Sequence, residues 1–221
     1  MASKVNQNIW ESIYAANSFD ISFPNETLVR YIFHFFKKNN GLKLLDYGFG
    51  TGNNLKFLVE FGFDAYGMEI AENAKKIALR KLNPNFDAAK LKIADEGKQM
   101  PFSDNFFDMI VAWGVLYYNS EKNFVKALFE LKRTLKSGGK FIFTLCRPDD
   151  VASVNSEGIS ARERRIIKPI SGQQGATIMV FENEEQIKSR FSLFNNLEIG
   201  YYESKLPGSA VSSHWIICGE E

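Results

Sequence analysis

Three glycines and an acid lie close together early in the chain, in a pattern suited to binding a ligand. Asp46 is followed by Gly48, Gly50 and Gly52, each separated from the next by one residue. Because glycine has no side chain, the backbone there can approach a ligand closely and can adopt positive φ. An apolar run before the acid predicts a buried strand, and apolar residues at helical spacing after Gly52 predict a helix. A strand, a tight turn and a helix therefore form the floor of a predicted binding site.

A second acid, Glu69, stands 21 positions after Gly48, where the strand-like run 64–70 ends. In nucleotide-binding α/β folds an acid at this point accepts hydrogen bonds from both ribose hydroxyls, since its two oxygens match a vicinal diol. The alternative is that Glu69 only caps the helix that starts near Ala71. The glycine turn at the right distance favours ribose binding.

Two ligand classes compete for the glycine turn. The dinucleotide fingerprint G-x-G-x-x-G needs a third glycine where this chain has Asn53. The observed pattern instead resembles motif I of the class I, Rossmann-like S-adenosylmethionine-dependent methyltransferases. In that family the acid and the glycine loop hold the methionine part of the cofactor. The resemblance implies cofactor contacts from Asp46, Gly48, Phe49, Gly50 and Asn53.

Two later stretches extend the resemblance. Residues 100–113 resemble the run that leads into the fourth strand of the small-molecule branch (the type 11/25-like methyltransferases), and residues 131–140 resemble the helix, glycine turn and fifth-strand start that follow. Together the matches cover residues 42–146. Two positions depart from the family pattern: Phe49 stands where a small residue or cysteine is usual, and Tyr117 with Tyr118 replaces a histidine-containing pair.

The resemblance also implies the remaining contacts around the cofactor. In that family an acid after the third strand contacts the adenine amino group, and neighbouring backbone amides contact the ring nitrogens. An aromatic face beside the cationic sulfonium attracts it. A turn-forming acid and tyrosines buried as core are the plain alternatives. The residues concerned are Ile70 beside the ribose, Asp95, Glu96 and Trp113 near the adenine, and Tyr117 and Tyr118 near the methyl group.

Two segments outside the matched region are candidates for the acceptor pocket. Residues 1–40 predict two helices before the sheet, which form a cap or lid over the site or pack as core. Residues 147–181 form a predicted substrate-side insertion with a strand-like run at 177–181. The insertion also contains a basic cluster at 162–165. This cluster either binds an anion or is a solvated charged turn. Candidate substrate contacts are Trp10, Tyr14, Tyr117, Tyr118 and Arg147. No catalytic residue is assigned; the polar candidates for a general base are Tyr117, Tyr118, Arg147 and His214.

These residues require an α/β framework: a doubly wound, mostly parallel seven-stranded sheet with an antiparallel C-terminal strand and helices on both faces. A length of 221 residues with 45% hydrophobic content predicts a single domain over 1–221. The 27 basic and 26 acidic residues nearly cancel in charge, so the chain as a whole has no strong electrostatic attraction to nucleic acid or an anionic membrane. No apolar run is long enough to span a bilayer, and no metal site is expected. We therefore expect a soluble, cytoplasmic monomer or homodimer.

The predicted activity is methyl transfer from S-adenosylmethionine, leaving S-adenosylhomocysteine, to a small-molecule acceptor. Three alternatives remain open: a non-catalytic sensor that binds the cofactor or its product, a protein methyltransferase, and, disfavoured by Asn53, a nicotinamide-dependent oxidoreductase. Phe49 keeps the sensor open because a bulky side chain in the loop would narrow the methionine end of the site. A nucleic-acid amino-methyltransferase is disfavoured, since residues 112–115 lack the Asn/Asp-Pro-Pro-aromatic run.

Overall fold

The computed structural model describes residues 4–35, 41–95 and 98–221. Its centre is a seven-stranded sheet, and a separate three-stranded sheet lies beside it. The strands of the large sheet are β1 Lys43–Tyr47, β2 Asp64–Glu69, β3 Leu91–Ile93, β4 Phe107–Ala112, β5 Leu135–Cys146, β9 Asn195–Ser204 and β10 Ser212–Glu220; those of the small sheet are β6 Ser156–Gly158, β7 Glu163–Ile166 and β8 Thr177–Met179.

Helices precede and connect the strands of the large sheet. Ser120, Asp150 and Asn183 stand before three of them, and each side-chain oxygen accepts a hydrogen bond from a backbone N–H of the first turn. The helices are α1 Lys4–Ala15, α2 Glu26–Phe35, α3 Asn53–Glu60, α4 Glu72–Lys81, α5 Glu121–Thr134, α6 Val151–Val154 and α7 Glu184–Arg190, with a 3₁₀ turn at Ala88–Lys90. None of the helices in the described ranges is long and apolar enough to cross a membrane.

The strand order of the large sheet is β3-β2-β1-β4-β5-β10-β9. The first five strands pair in parallel, whereas β10 runs antiparallel to both β5 and β9. This confirms the predicted mostly parallel sheet with an antiparallel C-terminal strand. The chain reverses its direction of progress between β1 and β4, and open α/β sheets bind ligands at the carboxyl ends of the strands beside such a switch point.

Alternate residues of the central strands enter two different cores. Leu44 and Val111 pack on one face with α2, α3 and α4, while Leu45 and Ile110 pack on the other face with α5 and α7. Successive side chains of a strand point to opposite faces, so a strand buried on both sides is a continuous apolar run. The helices therefore cover both faces, and the strand ends are left to build a site.

The small sheet lies within residues 147–181. Only the strand-like run at 177–181 was anticipated there; β6 and β7 are short and polar, so no alternation of apolar residues marks them. The predicted basic cluster belongs mostly to β7. Arg162 pairs with Glu121 at 2.9 Å, and Arg164 donates to the hydroxyl of Ser156 at 2.7 Å. Arg162 therefore connects this part of the chain to α5, and Arg164 connects β7 to β6.

Candidate active site

The glycine turn joins β1 to α3 at the carboxyl edge of the sheet. Gly48, Gly50 and Gly52 have φ of 78°, 53° and 80°, in the left-handed region that disfavours side chains. A Cβ added at Gly48 would lie 2.3 Å from Cγ2 of Val115, and one at Gly50 would lie 3.1 Å from the Tyr14 hydroxyl. The turn is therefore pressed between the segment after β4 and helix α1.

Glu69 ends β2 with its carboxylate facing the glycine turn. Its Oε2 accepts a hydrogen bond from Gly50 N at 3.0 Å, and its Oε1 accepts from Ile70 N at 2.7 Å and Ala71 N at 3.3 Å. Burial raises the pKa of Glu69, and the backbone N–H groups oppose this rise. Since each carboxylate oxygen accepts more than one hydrogen bond, these contacts leave capacity for a ligand's hydroxyl groups.

A first cavity of about 510 Å³ opens in front of Glu69. Residues from four strand ends and from α1 form its wall, which combines one carboxylate with apolar and aromatic surface. The lining residues are Trp10, Tyr14, Tyr47, Gly48, Met68, Glu69, Ile70, Ala94, Gly114, Val115, Tyr118 and Asn119.

Asp46 lies behind the turn, with a side chain that is 1% exposed. Among the described residues its Oδ2 has no hydrogen-bond partner. Burial and the nearby Glu69 raise the pKa of Asp46 to about 7. A buried, unpaired carboxylate oxygen beside a glycine turn fits a ligand that brings a cationic group.

A second cavity of about 1280 Å³, part of it open to solvent, adjoins the first. The two share the lining residues Trp10, Tyr14, Gly48, Gly114 and Tyr118. The rest of the second lining comes mainly from the glycine turn, the segment after β4, α6 and the paired strands β9 and β10. It includes Phe19, Trp113, Tyr117, Asp150, Ile170, Gln173, Tyr202 and His214.

Helix α1 covers the junction of the two cavities. The Trp10 ring stacks on Tyr14 with 5.6 Å between centroids, meets Tyr118 edge-on at 5.0 Å and meets Phe19 at 5.8 Å. Aromatic pairs at these separations attract one another beyond the area they bury. The predicted substrate contacts Trp10, Tyr14, Tyr117 and Tyr118 thus all lie on the walls of the second cavity.

Polar contacts hold α1 in this position. The buried Asn6 donates to Tyr118 O and Thr177 O, each at 2.9 Å, so it connects the segment after β4 with β8. Glu11 accepts from Glu72 N at 2.6 Å and Asn73 N at 3.1 Å. Those two N–H groups begin α4 and have no partner within that helix, so the α1 carboxylate caps α4 from outside.

A hydrogen-bonded pair, Tyr117 and His214, lies on the wall of the second cavity with the carboxylate of Asp150 facing the other ring nitrogen. Tyr117 Oη is 2.9 Å from Nε2 of His214, and Nδ1 of His214 is 3.8 Å from Oδ2 of Asp150. Burial lowers the pKa of His214, and the charge of Asp150 opposes this change. Burial raises the pKa of Tyr117 well above its ordinary value. Next to this group, Tyr118 Oη donates to Gln173 at 2.7 Å.

Phe49 is among the residues that line the second cavity, yet its ring lies on the core side of the glycine turn. Its side chain is buried in the core and would lie 2.5 Å from a Cβ added at Gly67, so the glycine in β2 makes room for it. The expectation that Phe49 narrows the ligand end of the site is therefore wrong for its side chain. Asn53 also lines the second cavity and donates to Phe23 O at 3.0 Å.

Two further predicted contacts lie elsewhere than expected, and a third falls outside the described residues. Trp113 lines the second cavity, not the first, and its ring stacks on Tyr202 at 5.5 Å. Asp95 is exposed and pairs with Lys98, although the preceding Ala94 lines the first cavity. Glu96 lies outside the described residues.

Arg147 reaches neither cavity, which corrects its proposed substrate contact. Its guanidinium lies over the ring of Tyr201 at 4.2 Å and that of Trp215 at 5.0 Å, and it donates to the Ser213 hydroxyl at 2.9 Å. These two rings belong to β9 and β10, so the guanidinium packs as a cation on aromatic faces of that strand pair, away from both cavities.

Sequence reasoning missed Asp150, Gln173 and Tyr202 as wall residues of the second cavity. Asp150 stands four residues after the end of β5, near the carboxyl edge where open α/β sheets bind ligands, and this was the signal that could have found it. Gln173 and Tyr202 carry no such signal, because they reach the cavity from the loop between β7 and β8 and from β9.

Comparison with known proteins finds similar sequences over the central part of the chain. The model of a methyltransferase domain matches residues 45–143. A sterol 4-C-methyltransferase of Caenorhabditis elegans is 34% identical over 115 residues, which are 51% of this chain and 34% of that protein. The chain spans 57%, 34% and 40% of the length of the first three curated relatives that it matches.

Solved structures show the same fold over nearly the whole chain. A SAM-dependent methyltransferase from Methanosarcina mazei superposes with a TM-score of 0.66 at 15% identity, covering 90% of this chain and 98% of that one. The 1,6-didemethyltoxoflavin-N1-methyltransferase of Burkholderia thailandensis, solved with S-adenosylhomocysteine, gives 0.68 at 11% identity and covers 98% and 87%. The chain thus contains a region similar to a methyltransferase domain, over residues 45–143, within a fold that it shares with solved S-adenosylmethionine-dependent methyltransferases.

Proposed function

We propose that the protein transfers a methyl group from S-adenosylmethionine to a small molecule bound in the second cavity. The observation that carries this proposal is the junction of the two cavities at Gly48, Gly114 and the aromatic side chains of α1. A ligand in the first cavity and a ligand in the second would approach each other beside these shared lining residues.

The first cavity suits the nucleoside end of the cofactor. Glu69 presents a carboxylate whose two oxygens are held in place by backbone N–H groups, so the ribose diol meets a fixed acceptor pair. Ile70 and Ala94 supply apolar surface for the adenine, one from each neighbouring strand end. In this assignment Asp46, which lies behind the turn and lines neither cavity, attracts the cofactor's ammonium group through water at its unpaired Oδ2.

S-adenosylmethionine supplies an electrophilic methyl group on a sulfonium centre that is already a good leaving group. The chain's own residues then have to position the acceptor and exclude water. Trp10 and Tyr118 contribute aromatic surface at the junction, where a cation gains about 0.5 to 2 kcal/mol from a ring face. Asn6 and Glu11 hold α1 over this point.

A small acceptor is favoured over a protein side chain because several elements wall much of the second cavity. Helix α1, α6 and the loop between β7 and β8 line it, and Asn6 ties α1 to β8 on one side. The sterol and demethylmenaquinone methyltransferases among the relatives are named for small acceptors. A non-catalytic sensor loses its main argument here, because the Phe49 side chain leaves the loop for the core.

Calorimetry and turnover together test this function. The protein should bind S-adenosylhomocysteine and should not bind NAD, and S-adenosylmethionine should be consumed only when an acceptor from a small-molecule panel is present. Glu72→Gln, a change at an exposed carboxylate three residues along the chain from Glu69, serves as the control variant. Binding of NAD without binding of S-adenosylhomocysteine would overturn the assignment.

A further inference from the structure

We propose that Tyr117, His214 and Asp150 form a proton relay on the wall of the second cavity, and that the acceptor is an aromatic compound methylated at a neutral hydroxyl group. This inference rests on the methyl transfer proposed above and names the acceptor class of the same site. All three side chains line the second cavity, and no contact of the cofactor region requires them.

The three side chains lie in sequence, with the Asp150 carboxylate facing one nitrogen of His214 and Tyr117 bonded to the other. Asp150 is 3% exposed, and its carboxylate is immobilised by Ala152 N on Oδ1 and Ser213 N on Oδ2, both at 2.8 Å. Oδ2 also faces Nδ1 of His214 at 3.8 Å, and Nδ1 is a buried atom with no hydrogen-bond partner among the described residues. A carboxylate beside Nδ1 favours the tautomer with the proton on that nitrogen. The lone pair on Nε2 then accepts the hydrogen bond of Tyr117.

The surroundings of His214 keep its imidazole neutral and ready to accept a proton. Besides Tyr117 and Asp150, the titratable groups facing it are Tyr202, stacked on its ring at 5.3 Å, and Cys146, its partner in β5; Arg147 is held on the neighbouring Ser213. Burial lowers the pKa of His214, so the ring is uncharged at neutral pH. Asp150 stabilises the imidazolium once it forms.

The proton and the methyl group move in opposite directions in the proposed step. The acceptor oxygen forms a bond to the transferred methyl carbon, while the carbon–sulfur bond breaks and its electron pair stays on sulfur. The hydroxyl proton passes to Tyr117 Oη as the phenolic proton of Tyr117 passes to Nε2 of His214. The imidazolium next to Asp150 then returns its proton to water in the open part of the cavity. A neutral hydroxyl needs such a base, because it does not lose its proton unaided at neutral pH.

The other walls of the cavity favour a planar, apolar molecule around that hydroxyl. Trp113 and Tyr202 stack on one another, Tyr202 stacks on His214, and Trp10 lies at the opposite end beside the cofactor junction. Ring faces and edges of this kind bind aromatic groups well. The relay and the aromatic walls together describe a phenol-type acceptor.

Nitrogen NMR of the imidazole rings tests the relay without any acceptor. The chain has two histidines, and His34 is exposed, so its signals are an internal reference for those of His214. In the full chain with S-adenosylhomocysteine at pH 7, we expect His214 to be neutral with the proton on Nδ1, and Tyr117→Phe to shift only the His214 Nε2 signal. A proton on Nε2, or a charged His214 ring, would overturn the relay because Nε2 could not then accept a proton.

A pair of acceptors tests its use in the reaction. At pH 8 phenol is neutral, whereas 4-nitrophenol is largely an anion and needs no base. In His214→Gln, methylation of phenol should fall by roughly 100-fold or more, the usual contribution of a general base, while methylation of 4-nitrophenol changes little. Asp150→Asn, which removes the charge next to Nδ1, should move the acid limb of the phenol rate profile to lower pH.

Two controls separate this proposal from the proposed function. If His214→Gln binds S-adenosylhomocysteine like the parent and loses both acceptors equally, the relay is refuted while methyl transfer stands. If the parent protein itself neither binds S-adenosylhomocysteine nor consumes S-adenosylmethionine, the proposed function fails. Selective loss of the neutral acceptor, with cofactor binding intact, supports the relay.

Discussion

Replacing Glu69 by glutamine isolates the role of this carboxylate in cofactor binding. The amide has the same shape, and one oxygen remains to accept from Ile70 N. The other position becomes an NH₂ donor that faces the N–H of Gly50, so that hydrogen bond is lost. The charged acceptor for the ribose diol is lost at the same time.

The expected loss of affinity follows from these contacts. A hydrogen bond to a charged group is worth about 1.5 to 3 kcal/mol, and the variant loses one such bond to the ribose. S-adenosylhomocysteine should therefore bind roughly 10- to 150-fold more weakly. Folding changes less, because removing a buried carboxylate, whose pKa burial raises, offsets part of the lost bond to Gly50. Glu69→Ala is the less specific change, since it strips an acceptor from three backbone N–H groups.

Titration calorimetry with S-adenosylhomocysteine measures the affinity, and thermal unfolding of the ligand-free protein measures the fold. Glu72→Gln is the matched control, because it makes the same chemical change on an exposed side chain three residues along the chain. If both Glu69→Gln and Glu72→Gln bind S-adenosylhomocysteine with an affinity within twofold of the parent's, Glu69 does not bind the ribose. A large drop in unfolding temperature with unchanged affinity would assign Glu69 to the glycine turn alone.

Three further outcomes are expected. Gly48→Ala should weaken S-adenosylhomocysteine binding at least tenfold by calorimetry, because the new Cβ would meet Val115 at 2.3 Å, whereas Gly208→Ala has a similar φ and open space and should bind normally. Burial raises the pKa of Asp46 from 3.8 to about 7, so its ionisation disfavours the folded chain. The unfolding free energy should therefore fall between pH 5 and pH 8, and should fall less in Asp46→Asn, as urea titrations can show. If α1 acts as a lid, its backbone hydrogen exchange should slow when S-adenosylhomocysteine binds; identical exchange with and without ligand would leave α1 as part of the core.

The sequence predicted those features that depend on short-range patterns. Continuous apolar runs of strand length marked the central strands, because parallel strands are buried on both faces. The glycine turn was recognisable since the backbone at Gly48 must adopt positive φ under close contact, which only glycine tolerates without strain. Glu69 could be assigned from its distance to that turn, because β1 and β2 are neighbours in the sheet and pair in register.

Tertiary structure alone decided which distant side chains share a wall. Tyr117 and His214 are 97 positions apart, and they meet because β10 inserts antiparallel beside β5, a pairing that no local pattern encodes. The same strand pair carries Arg147 away from the cavity to which its position after β5 had assigned it. Phe49 was equally undecidable from its neighbours, because the space for its ring comes from a missing Cβ in the next strand, at Gly67. Local periodicity determines the helices and strands. Which side chains line the second cavity depends instead on contacts between elements far apart in the chain.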